Sequence, residues 1–124
     1  MEKKGFVSIW FGNFNQENSL EEYVDLTYDE DGESIPSKFF IDFNIDMDET
    51  DEDTIEKAVH EHSSSDIAKL LDGCSYDEIV IPNVKSNIEL KKSYNAVILI
   101  YNFRYNNEIV STDTFDFIMT TKYE

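Results

Sequence analysis

Tyr94-Asn95-Ala96-Val97-Ile98-Leu99-Ile100-Tyr101-Asn102-Phe103-Arg104-Tyr105 decides the fold. The stretch is rich in β-branched and aromatic residues, and its centre, Ala96 to Tyr101, is apolar without a break, so it reads as a strand. Asn106-Asn107 suits a two-residue hairpin turn, because Asn tolerates positive φ. Glu108 to Thr112 is then expected to return. Thr114 to Thr121 either continues that strand or forms a third.

Outward from this stretch, Phe6 to Phe14 also reads as a strand. Val7, Ile9 and Phe11 take one face, and Phe6, Ser8 and Trp10 the other. Both faces are largely apolar, which places this strand inside a sheet, with Trp10 in the core. Between the two lie helical signals. Ser19 with Glu22 forms an S-x-x-E capping box ahead of Leu20, Tyr23 and Val24. Ser34, with Pro36 in the first turn, is expected to cap a helix whose stripe is Ile35, Phe39, Phe40 and Phe43. Asp53 or Thr54 is expected to start a helix through Ile55, Ala58 and Val59. Ser65 or Asp66 caps another, with Ile67, Leu70 and Leu71 inward and Gly73 as its terminator. Residues 76–93 stay open: Ile79-Val80-Ile81 looks strand-like but is cut by Pro82, and Pro82 could equally open a helix carrying Val84 and Ile88. The expected fold class is α+β: a mainly antiparallel sheet of about four strands, made of the N-terminal strand and a C-terminal meander. Several short helices are inserted between and packed on one face. With 124 residues, residues 1–124 form a single domain on this reading.

Charge narrows the function. The chain holds 27 acidic and 10 basic side chains, a net charge of −17 at pH 7. Aromatic residues make up 14%, too many for a disordered acidic tail. So acidic a surface repels polyanions, which argues against nucleic acid and anionic membranes as partners and favours a basic protein or cations. The excess is segregated: residues 21–66 hold 17 acids and two bases. Two runs are densest there, one made of Asp29, Glu30, Asp31 and Glu33, the other of Asp46, Asp48, Glu49, Asp51, Glu52 and Asp53.

Little points to catalysis. Cys74 is the lone cysteine and stands in no nucleophile signature, so it reads as a packed small side chain with no disulfide framework. His60 and His62 lack a second ligand pair at metal-binding spacing and read as surface residues at a helix end. No phosphate-binding glycine loop occurs. An EF-hand reading fails from Asp46, which puts Asp51 where Gly is needed and Lys57 at position 12. It fails from Asp29 as well, with Ser34 and Phe40 at those places. No metal, cofactor or small-molecule ligand is expected. The N-terminus lacks a signal-peptide apolar run and no segment is long enough to span a bilayer, so a cytoplasmic protein is expected.

Val7-Ser8-Ile9-Trp10-Phe11-Gly12-Asn13-Phe14, Leu20-Glu21-Glu22-Tyr23, Tyr28-Asp29-Glu30-Asp31-Gly32, Ile35-Pro36-Ser37, Phe40-Ile41-Asp42-Phe43-Asn44-Ile45 and the Ala96 to Phe103 strand together resemble the bacterial immunity protein 22 family. The resemblance covers most of the chain and implies a helix around residues 79–92. It implies a cytoplasmic antidote of a polymorphic toxin system that binds the toxin domain encoded beside it and inhibits it without catalysis of its own. Joined to the charge pattern, it makes the two acidic runs a toxin-binding surface for a basic nuclease. The alternative is a small acidic divalent-cation-binding or generic protein-interaction module.

Overall fold

The computed structural model describes residues 2–14, 17–24, 27–45, 50, 52–105 and 108–123. Among them the chain forms β1 (Glu2–Gly12), α1 (Glu17–Val24), β2 (Thr27–Tyr28), β3 (Ser34–Ile35), α2 (Lys38–Asp42), a 3-10 turn (Glu52–Thr54), β4 (Ile55–Ser64), α3 (Ile67–Leu71), α4 (Asp77–Lys85), β5 (Tyr94–Phe103) and β6 (Phe115–Lys122). The fold class is α+β. Four strands make an antiparallel sheet in the order β4-β5-β1-β6, and β2 pairs with β3 in a small separate ribbon.

The two strands that dominate the sequence sit side by side at the centre, with Val7 opposite Tyr101 and Gly12 opposite Ala96. Side chains alternate across them as expected of a pleated strand. Val7, Ile9, Phe11, Val97, Leu99 and Tyr101 enter one core, and Trp10, Ala96, Ile98 and Ile100 enter another on the opposite face. Each core is closed by its own helices. Leu20, Tyr23 and Val24 of α1 and Phe39 and Phe40 of α2 cover the Trp10 face, with Phe43 just beyond. Ile67, Leu70 and Leu71 of α3 and Val80 and Val84 of α4 cover the Val7 face. The helices therefore flank both faces rather than one. The reason is the two-sided apolar character of β1 and β5: each face must be removed from water.

The expected meander is also replaced. β6 pairs with β1, not with β5. β1 is apolar on both sides and so takes an interior place with two neighbours. The more polar β4 and β6 take the edges, where unpaired backbone groups can meet water. Asn106 and Asn107 lie outside the described residues. Val110 and Thr112 bond back to β6 through Phe117 N–H to Val110 O and Thr112 N–H to Phe115 O, each at 2.8 Å, so residues 110–112 run antiparallel to β6 through a single bridge at Ser111 and Asp116 rather than returning along β5. Ser8, buried on the Trp10 face of β1, is fully satisfied. Its hydroxyl donates to Phe103 O at 2.8 Å and accepts from the Tyr105 amide at 2.9 Å and from Thr120 Oγ1 at 2.8 Å. Gly12 is required by close approach: a Cβ there would stand 2.6 Å from Phe115 Cδ1 and nearer still to the Thr114 carbonyl.

The helix expected over Ile55, Ala58 and Val59 is strand β4, with Ile55 opposite Ile100 and Val59 opposite Ala96. A short apolar run fits both periods, and the need to pair β5 on its free side selects the strand. α1 starts at Glu17, so Ser19 lies inside the helix instead of capping it. Ser34 and Ile35 are held in the ribbon with Tyr28 and Thr27, which moves the α2 cap to Ser37 and leaves Ile35 43% exposed. Ser37 Oγ accepts from the Phe40 amide. Asp66 caps α3 through the Ala68 amide, and Gly73 follows its end at φ +87°. Residues 77–85 are helical through Pro82. Pro82 has no amide N–H to donate to the Glu78 carbonyl, and burial of Val80 and Val84 on either side offsets that loss.

Candidate functional site

The first acidic run is the tip of the β2–β3 ribbon. Asp29 organises it: Oδ1 accepts the amides of Asp31 and Glu33 at 2.9 and 3.0 Å, and the Asp29 and Gly32 backbones bond to Glu33 O and Asp29 O at 3.0 Å each. Gly32 completes the turn at φ +81°, a conformation that glycine adopts without strain. Asp29, Glu30, Asp31 and Glu33 are all exposed. The loop thus holds its backbone with one carboxylate and presents the others to solvent. Asp42 lies near the ribbon in sequence but is engaged, by the Tyr23 hydroxyl at 2.9 Å and Lys38 at 3.5 Å.

Of the second run, Asp46, Asp48, Glu49 and Asp51 lie outside the described residues. Glu52 and Asp53 open the 3-10 turn that leads into β4, and Asp53 is exposed. The structure therefore brings Asp29, Glu30, Asp31 and Glu33 together and sets Asp53 on a different connection, ahead of β4.

His60 and His62 are on β4, not at a helix end. His60 is half-buried and its Nε2–H donates to Leu70 O at 2.8 Å, while His62 is exposed. Among the described residues no three His, Cys, Asp or Glu side chains gather where they could hold a metal ion. Cys74 packs against the core on the Val7 face. Burial, with the carboxylates of Glu56 and Asp77 adding to it, pushes its thiol up to about 12. Such a group stays a thiol at neutral pH and is a poor nucleophile.

A second feature had no signal in the sequence because its parts are distant along the chain. Tyr76, Tyr101 and Tyr123 meet at the corner between β5, β6 and the start of α4. Ring centroids are 4.7 Å apart for Tyr76 and Tyr123, and 5.1 Å for Tyr101 and Tyr123. The Tyr101 hydroxyl donates to Glu56 Oε1 at 2.5 Å and stands 2.8 Å from Ser75 O. Ser75 donates its amide to Glu56 Oε1 at 3.0 Å and its hydroxyl to Oε2 at 3.1 Å. Tyr123 donates to Asn102 Oδ1 at 2.5 Å. Burial and the Glu56 carboxylate push the Tyr101 hydroxyl far above its ordinary range. Tyr76 and Asn102 both have left-handed backbones, at φ +62° and +59°. For a residue as bulky as tyrosine that conformation is strained. Asp53, Glu56 and the three rings line a hollow of about 270 Å³.

What stands out is an α+β fold with an exposed acidic loop tip and a tyrosine-walled hollow. Residues 7–124 match the immunity protein 22 family, and the chain belongs to it. Membership gives a toxin protein as the general class of partner. No curated protein and no solved structure matches the chain. Among the described residues no helix is long and apolar enough to cross a membrane.

Proposed function

We propose that the protein is a cytoplasmic antidote in a polymorphic toxin system, binding its cognate toxin domain in a one-to-one complex and inhibiting it without catalysis. The toxin class that suits the chain is a basic nuclease. A nuclease gathers cations around its substrate phosphates, and an opposed acidic surface speeds encounter and then occupies that cleft. The binding surface on this reading consists of Asp29, Glu30, Asp31 and Glu33 with Asp46, Asp48, Glu49, Asp51, Glu52 and Asp53. The observation that carries the proposal is family membership across residues 7–124. The exposed, internally braced hairpin tip supports it, since a loop held by Asp29 loses little freedom when it docks.

The test is co-expression with the toxin domain encoded beside this gene. The expected result is cell survival and a one-to-one complex that persists through size-exclusion chromatography. Survival of toxin-expressing cells only in the absence of any physical complex, or no survival at all, would overturn it.

A further inference from the structure

We propose that the tyrosine-walled hollow is a socket for an arginine side chain of the protein partner. The inference rests on the reading that the chain acts by binding a protein, and it names a second contact remote in sequence from the acidic hairpin.

Three observations converge. First, size: about 270 Å³ falls just below the range of small-molecule pockets, which suits one long side chain rather than a free ligand. Second, charge: among the described residues, those lining the hollow include the carboxylates of Asp53 and Glu56 and no Lys, Arg or His. Glu56 is held in place by neutral donors, Tyr101 and Ser75. Hydrogen bonds of that kind orient a carboxylate and leave its negative charge in place. Third, aromatic faces: Tyr76 is 55% exposed yet packed against Tyr123 in a tilted contact with centroids 4.7 Å apart, so its ring is both accessible and braced. A guanidinium is drawn to an aromatic face and to a carboxylate at once, and Arg takes that role more often than Lys. Tyrosine and arginine are also the side chains that most often dominate protein interfaces.

The α4 N-terminus beside the hollow does not oppose a cation. Asp77 and Glu78 occupy its first turn, and Asp77 Oδ2 accepts the Gly73 amide at 3.1 Å. In the same turn, Ile79 is 39% exposed.

The test has two arms. In the first, N-acetyl-arginine amide is titrated into the isotope-labelled protein and followed by NMR, beside the citrulline amide, which keeps the shape and lacks the charge. Saturable shifts centred on Tyr76, Tyr101 and Tyr123 with arginine, absent with citrulline, are expected. Tyr76→Ala, a change at an exposed ring, should weaken that binding about tenfold. Equal shifts with citrulline, shifts centred on the 29–33 hairpin, tighter binding of N-acetyl-lysine amide, or indifference to Tyr76→Ala would each overturn the socket. In the second arm, an inactivated copy of the toxin domain is bound to the wild type and to Tyr76→Ala. Weakening of about tenfold or more is expected. Undiminished binding removes the socket while leaving the antidote reading intact, whereas failure of the wild type to bind removes the antidote reading and leaves the first arm to decide the socket.

Discussion

The two faces of the sheet are sealed by different chemistry. On the first, Trp10 is ringed by Phe39, Phe43, Tyr105 and Phe117, with centroids 5.1 to 5.9 Å away and mostly edge-to-face. On the second, Val7, Ile9, Val97 and Leu99 meet Leu70, Leu71, Val80 and Val84. The aromatic face is closed by α1 and α2, and the acidic hairpin is the link between those two helices. The aliphatic face is closed by α3 and α4, and the tyrosine hollow sits at the start of α4. Large rings let a helix of only five residues, α2, bury two phenylalanines completely, which leaves the preceding hairpin free to be polar. Each candidate surface is thus mounted on a core of its own.

The comparison breaks most clearly by cavity formation. Trp10→Ala is expected to cost about 4 kcal/mol in urea unfolding, because four rings lose a common neighbour, and Leu70→Ala on the other face about 3 kcal/mol. Equal small losses would show that neither core is closely packed. Next comes the seam where β1, beside β5, meets the start of β6. Gly12→Ala is expected to destabilise by about 2 kcal/mol, since the new methyl group meets the Thr114 carbonyl and the Phe115 ring. A neutral result would mean that β6 shifts freely.

Alkaline pH loads both faces together. Burial raises Tyr23 and Tyr105 on the first face and Tyr94 and Tyr101 on the second; the carboxylates of Asp42, Asp116 and Glu56 raise Tyr23, Tyr94 and Tyr101 further, and Tyr105 reaches about 12. The folded state keeps these protons while the unfolded chain loses them near the ordinary tyrosine value of 10. The contribution of these tyrosines is therefore flat below about pH 10 and falls above it, by up to about 1.4 kcal/mol per pH unit for each, and the Cys74 thiol, raised from 9.0 to about 12, starts its own loss about one unit earlier. Unfolding measured at pH 8 and above pH 10 checks the slope. Removing Tyr23 and Tyr105 as phenylalanines should lessen it by about half. Asp116 works in the other direction. Burial raises it, but Ser111, Tyr94 and Lys92 together hold it below its ordinary value, so its contribution is present above the ordinary carboxylate range and is lost as pH falls through the depressed value.

Much of this was legible in the sequence where one period ruled. The alternation of β1 and the apolar run of β5 placed both strands and their faces, and Phe39, Phe40 and Phe43 announced a core stripe. Strand order was not legible, because β6 carries no mark that distinguishes pairing with β1 from pairing with β5. Nor was β4, since Ile55, Ala58 and Val59 satisfy a helix and a strand alike. The acidic hairpin was visible because its charges are contiguous. The hollow was hidden because Glu56, Tyr76, Tyr101 and Tyr123 converge only once the sheet has formed.

The antidote reading turns on whether the acidic surface steers and holds a basic partner. The association rate of the protein with the toxin domain encoded beside it, measured against salt concentration, tests this most directly. Screening shortens the reach of surface charge to about 10 Å at 0.1 M salt, so the rate should fall steeply as salt rises. A variant with Glu30, Asp31 and Glu33 changed to glutamine and asparagine, which spares the Asp29 brace, should start slower and show a flatter dependence. A rate indifferent to salt and equal in the two proteins would contradict the account.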